Sequence, residues 1–427
     1  MSIKENNSVK LLYYYNFYTS LAILICSSTV FIDKFLLKVN IDLSAFGIIK
    51  GLMYFLPAVS YLLLSPYLQK KQIDREVCMV GYLLRVALPC LLPILALLTS
   101  NTKILTAACM IILPISMMMA TFANNSLMVI YRQAIPAETF NKCSNTMMML
   151  LSLPGCLIGV PVALFMDVFD KSSVQTFCII YAALSFICVL FEIPAIRAMK
   201  KVKLNTSSEN IVKKRFNLHE LISPYKDKNF SPVVWITFWH GVICGSFGAY
   251  LIVYLMLSRE WKMSLIAILM GIIGLFAYTF LPYGGKLTDR YGFAKIFFVQ
   301  AFLIFSMTAL LCFCWNNLLV LILFLFLVWD TATSIIGSWM SGTEIGATSK
   351  LAVKGRENYY VSAYNLCRSG GLFLGSFLAM PLYRYCEKSC GAGNYSKIFQ
   401  TYFGLLIILA FILLAHTIVY LIKSNKK

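Results

Sequence analysis

The chain has 427 residues, 59% of them hydrophobic and 13% charged, with a formal net charge of +19. Soluble proteins carry about 25% charged residues, so too little polar surface is available for two or three soluble domains. A mean hydropathy of +0.77 points instead to a membrane protein.

A bilayer-spanning helix needs about 20 mostly apolar residues, and the hydropathy pattern predicts twelve. The first, at about residues 11–37, carries Asn16 and Tyr18 as candidate hydrogen bonders. Its Tyr13-Tyr14-Tyr15 run reads as an interfacial aromatic belt. Its apolar stretch exceeds the usual 7–15 residues of a signal peptide and no A-x-A site follows, so it is expected to be a span and not a leader. The second span (43–68) holds Lys50, the third (77–99) Arg85, and the fourth (103–131) Asn124 and Asn125. The fifth (145–166) contains Gly155-x-x-x-Gly159, a spacing that permits close helix contact. The sixth is 174–196.

A polar, basic stretch at 198–230 then interrupts the hydrophobic pattern. Six further spans follow: 232–257 with His240, 262–283, 294–314, 317–342 with Asp330, 358–383 with Arg368 and Gly371-x-x-x-Gly375, and 398–422. Membrane strands are a poor alternative, because barrel segments are about ten residues long and alternate in polarity.

The halves resemble each other. Pro66-Tyr67 and Pro282-Tyr283 are 216 positions apart, as are the two glycine pairs, and Ile25-Cys26 lies 218 before Ile243-Cys244. The expected fold is an all-α membrane protein of twelve helices in two pseudo-symmetric six-helix bundles, residues 1–197 and 231–427, joined by a basic linker at 198–230. Internal repeats of this kind are common in secondary transporters.

With both termini placed in the cytoplasm, cytoplasmic segments hold 25 Lys and Arg residues and outer segments 9. That bias follows the positive-inside rule and accounts for the net charge without nucleic acid. Fourteen cysteines lie mostly within spans and read as small apolar side chains. Cys386 and Cys390 fall in an outer loop, where a disulfide or two free thiols are both open readings. No His/Cys/Asp/Glu spacing suggests a metal, and no cofactor is expected.

One polar knot carries a specific pattern. Gly285-Lys-Leu287-Thr-Asp289-Arg290-Tyr-Gly292-Phe-Ala-Lys295 resembles the G-x-L-x-D-R-x-G-R-K signature of the major facilitator superfamily, departing from it at Phe293 and Ala294. The second loop keeps only Asp74-Arg75. The resemblance implies that this cluster latches the bundles on the inner side and that spans one, four, seven and ten line a central cavity. Glycines suit a sharp turn at the end of a helix, and Asp289 could sit against the positive end of a neighbouring helix. A solvated turn is the alternative.

Ionisable groups near the bilayer centre are expensive, so they are functional candidates by default. Asp330 and Arg368 fall at similar depth on sequential spans, which suggests a pair that binds a proton or solute; static packing is the alternative. His240 titrates near neutral pH and lies on a span implied to line the cavity. Lys50, Arg85 and Arg368 outnumber Asp330, giving a slight lean toward a solute with an anionic group. The expected activity is secondary transport by alternating access, coupled to a proton or sodium. The bilayer and a small-molecule solute are the expected partners, the carrier is expected to act as a monomer, and a bacterial inner membrane is the expected location. Multidrug efflux by proton antiport is the alternative. A membrane lipid enzyme is remote, because no HExxH, GxSxG or paired-carboxylate motif occurs.

Overall fold

The computed structural model describes residues 7–26, 28–71, 73–135, 143, 150, 158–204, 218–328, 334–353 and 357–425. Every regular element among them is helical. Helix α1 (Asn7–Cys26) and α2 (Thr29–Lys38) form the first span. Extended backbone at Ser28 breaks it. Helix α3 (Leu43–Lys71) starts where Asp42 accepts from the Ser44 amide at 3.0 Å and from its hydroxyl at 2.6 Å. The third span is also broken: α4 (Asp74–Ala87) and α5 (Leu91–Leu98) flank a turn containing Pro89, which cannot donate to a helix ladder.

Helix α6 (Thr102–Ala134) is capped by Asn101, whose side chain accepts from the Lys103 and Ile104 amides. A short apolar helix, α7, runs from Ile158 to Val168. Helices α8 (Val174–Leu190) and α9 (Glu192–Lys201) meet at a turn on Phe191. Helix α10 (Leu218–Lys226) precedes α11 (Ser231–Leu257), α12 (Met263–Tyr291) and α13 (Phe293–Phe313). Asn317 caps α14 (Leu318–Leu327) and Ser334 caps α15 (Ile335–Leu351). Helices α16 (Glu357–Cys390) and α17 (Tyr395–Asn425) complete the chain.

Among the described residues, nine helical stretches are long and apolar enough to cross a membrane, and α7 and α14 are shorter apolar helices. Adding α16, these match the twelve expected spans. Two of the boundaries that differ from the sequence reading bear on the site. Span eight continues through the polar knot to Tyr291, and span ten resumes as α15 and continues to Leu351, with Thr288, Thr343 and Thr348 buried in these extensions. Tyr15 is fully buried while Tyr14 is 59% exposed, so the tyrosine run samples different faces of α1 and is not a uniform belt. Cys386 and Cys390 are both free thiols, the first buried.

The chain forms two compact units: Met1–Ile41, Val59–Phe216 and Lys262–Ile268; and Asp42–Ala58, Asn217–Trp261 and Leu269–Lys427. The first has an apolar core including Leu12, Tyr15, Tyr82, Ile130, Tyr131 and Met199. In it, Asp167 caps the start of α12, accepting from the Met263 amide at 3.1 Å and the Ser264 amide at 3.0 Å. In the second unit, Tyr250, Tyr254, Phe399, Tyr402 and Phe403 interlock with ring centroids 5.4–6.4 Å apart, within the range of favourable aromatic pairs.

Candidate functional site

The second unit contains a buried charged cluster built on three helices. Glycines set its geometry. On α11, Gly241 and Gly245 face α16; on α16, Gly371 and Gly375 face α11. A Cβ added at Gly241 would lie 3.1 Å from the Leu372 amide nitrogen, and one at Gly371 or Gly375 would overlap the carbonyl oxygen of Phe238 or Val242. The helices therefore touch along their backbones, as small-residue pairs allow. Two serine bonds fasten the seam reciprocally: Ser246 donates to the Gly375 carbonyl and Ser376 to the Gly245 carbonyl, each at 3.0 Å.

That approach brings His240, beside Gly241, to Arg368, one residue pair before Gly371. Arg368 Nη1 lies 3.4 Å from His240 Nδ1. Between them stands Glu344 of α15. Its Oε1 is 2.7 Å from His240 Nδ1, and its Oε2 accepts from Arg368 Nη1. The side chains of His240 and Glu344 are 1% and 0% exposed and that of Arg368 13%. Arg368 Nη2 also donates to Ser341 Oγ at 3.0 Å, and that hydroxyl donates to the Gly337 carbonyl at 2.8 Å. Tyr364, one turn before Arg368, is within hydrogen-bonding reach of both charged partners. At 1.5 Å per residue, His240 and Arg368 lie roughly 14 and 16 Å into their helices, and Glu344 roughly 10 Å from the end of α15.

Sequence reasoning found His240 and Arg368 but missed Glu344, because span ten was ended at 342. The carboxylate against Arg368 is Glu344; Asp330 lies outside the described residues. The signal that was passed over is Ser334, Thr343 and Thr348, hydroxyl residues that are buried along α15 and its N-cap. The matching glycine pair on α11 was also missed.

The other candidates lie elsewhere. Lys50 is buried on α3 in the second unit. In the first unit Asn16 is fully buried, donating to the Leu12 carbonyl at 2.7 Å and accepting from Tyr131 at 2.6 Å, so it is a core residue and not a cavity liner. Tyr18 packs on the apolar core. Asn124 accepts from the Tyr82 hydroxyl, and Asn125 is partly buried. The Arg85 guanidinium lies 5.8 Å from the Tyr82 ring centroid. Among the described residues, a Cβ added at Gly159 meets Leu24 Cδ1 alone, at 3.3 Å; Gly155 lies outside the described residues.

The polar knot is helical through Gly284, Gly285 and Leu287, and only Gly292, with φ +81°, turns the chain. Gly284 instead makes room for the Trp339 ring, whose Nε1 donates to the Gly284 carbonyl at 2.9 Å. Asp289 lies in the last turn of α12. It pairs with Lys350, in the last turn of α15, at 2.6 Å, and both side chains are exposed. Arg290 lies over the Tyr291 ring at 5.3 Å, and Lys295 is exposed. Asp74 opens α4, while Arg75 donates to the Val202 carbonyl at 2.6 Å.

Comparison with known proteins follows this geometry. The family model of the Major Facilitator Superfamily matches residues 9–376. Among curated proteins, none matches the sequence. The nucleoside transporter NupG superposes with a TM-score of 0.68 at 13% identity, over 96% of this chain and 98% of that one. A bacterial homologue of the lysosomal transporter Spinster, in its inward-facing, unoccupied form, gives 0.66 at 12% over 97% of both chains. FucP gives 0.57 at 13%, over 95% and 98%. At such identities the likeness shows fold alone, and the family match supplies the rest: the chain belongs to the Major Facilitator Superfamily and is an integral membrane transporter, not an enzyme.

Proposed function

We propose that this transporter moves a small organic solute bearing an anionic group together with a proton, and that Arg368, Glu344 and His240 couple the two. The observation that carries this reading is the contact of one buried carboxylate with both a guanidinium and an imidazole. The earlier argument, an excess of intramembrane bases, no longer serves: Asp33, Glu192 and Glu344 are all fully buried and offset Lys50, Arg85 and Arg368.

The coupling follows from charge balance. With no solute, Arg368 and Glu344 neutralise each other. An arriving carboxylate or phosphate competes for Arg368 and displaces Glu344, whose buried anion then takes a proton, with His240 placed to relay it. Empty and fully loaded sites are both neutral. A site carrying only the anion or only the proton holds an uncompensated buried charge, costing about 3–5 kcal/mol. That is a factor of roughly a hundred to several thousand in population. Half-loaded carriers are therefore rare, which links proton and solute movement. Cytoplasmic termini fit the distribution of basic residues, and a bacterial inner membrane is part of the same proposal.

The test compares cells expressing the wild type, Glu344→Gln and an empty vector by untargeted mass spectrometry of small molecules. The expected result is a solute whose accumulation responds to an imposed pH gradient in the wild type. Glu344→Gln should let it equilibrate without accumulating. Equal accumulation by both would remove Glu344 from coupling.

A further inference from the structure

The first unit holds a buried carboxylate that the proposed coupling site does not use. Glu192 opens α9 and is fully buried. Neither of its oxygens accepts a hydrogen bond from any described residue. An ionised carboxylate sealed from water normally gathers several donors, and one that has none tends to neutralise instead. The surroundings sharpen the point. Helix α1 presents Tyr15, and α4 presents Cys78, Tyr82 and Arg85. Helix α8 carries Cys188 one turn earlier and no acid or base, and the nearest charge along α9 is Arg197.

Arg85 is near enough to act on Glu192 electrostatically, yet its guanidinium donates to neither carboxylate oxygen. An ionised Glu192 would be expected to draw a charge-assisted bond from it. Tyr15 is meanwhile 3.1 Å from Cys78 Sγ, and the Tyr82 hydroxyl is committed to Asn124. The helical ladder is also interrupted one residue before Glu192, at Phe191, and Pro194 follows within the first turn of α9. A carboxyl beside a helix break can change partners without disturbing a continuous helix.

We propose that Glu192 is a second proton-binding site of the transporter, protonated in the conformation seen here and exchanging its proton with water during the transport cycle. The proton comes from water onto a carboxylate oxygen and returns to water when Glu192 swings to Arg85 as an anion. No other reactant is needed. This does not depend on the role given to Glu344.

The experiment is infrared spectroscopy of the purified full-length chain in detergent at neutral pH, transferred between H2O and D2O. A buried neutral carboxyl gives a carbonyl band separated from those of ionised carboxylates. The expected result is such a band in the wild type and in Glu344→Gln, lost in Glu192→Gln, moved in frequency in Glu192→Asp, and shifted by D2O. Glu192→Asp keeps the comparison intact if Glu192→Gln does not fold, as judged by gel-filtration elution. Identical carboxyl spectra for the wild type and the Glu192 variants would overturn the proposal, since the group would then be ionised. A Glu192 band that D2O never shifts would also overturn it, because a proton that cannot reach water is not carried.

Discussion

His240 Nδ1 and Glu344 Oε1 lie 2.7 Å apart with both side chains sealed from solvent, and Arg368 closes the other side of the same carboxylate. In low dielectric such a cluster is held by mutual compensation, so removing two members should cost less than the sum of removing each alone. Glu344→Ala is expected to lower stability by about 3–5 kcal/mol, because it strands Arg368. The double variant Glu344→Ala/Arg368→Ala should lose clearly less than the sum of the single losses. Thermal unfolding in detergent, arranged as a double-mutant cycle, checks this. Strictly additive losses would mean the two side chains do not depend on each other.

His240 adds a pH-sensitive partner to that pair. An imidazole changes charge between about pH 5 and 8, and this ring lies against the Glu344 carboxylate. Replacement by glutamine keeps a hydrogen-bonding side chain but cannot titrate. Once a solute is known, its uptake by His240→Gln should vary less with external pH than uptake by the wild type. An unchanged pH profile would make the histidine a packing residue.

The seam that places these groups makes a sharper mechanical prediction. An added methyl at Gly375 would overlap the Val242 carbonyl on α11. Backbone cannot yield as a flexible side chain can, so Gly375→Ala should cost roughly 1–3 kcal/mol or more and push Arg368 away from His240. Among the described residues, the methyl of Gly159→Ala meets only a leucine methyl at 3.3 Å, and the change should range from neutral to about 1 kcal/mol stabilising, as alanine is the better helix former. Comparable losses in melting temperature at the two sites would contradict this account of the seam.

The parts of the fold set by hydrophobic length were legible from sequence: the apolar runs and their number. His240 and Arg368 were legible for the same reason, since a charge inside an apolar run stands out. Glu344 did not stand out. Its neighbours Ser341, Gly342, Thr343 and Gly346 lower local hydropathy as a loop would, yet they are helical, and Thr343 is buried beside Glu344. Glu192 was hidden likewise at the end of span six, where an acid looks interfacial until α1 and α4 are seen to cover it. Hydropathy reports what faces lipid; it is silent about polar groups that helices bury against one another.

The final prediction separates mechanism from stability at the polar knot. Asp289 and Lys350 are 2.6 Å apart, but their side chains are 69% and 62% exposed. Exposed pairs contribute about 0–1 kcal/mol, so Asp289→Asn should barely change the unfolding temperature. If the pair helps hold one conformation of the transport cycle, as the resemblance of this motif implies, the same variant should alter transport rate. The charge-swapped variant Asp289→Lys/Lys350→Asp should then recover a substantial part of the loss, because a surface pair depends on opposite charge and little else. Rates for the swapped and single variants, measured with the solute found by mass spectrometry, decide the matter. A swap no better than Asp289→Asn would mean that Asp289 acts through some other contact, and the Lys350 pair would be an ordinary solvated one.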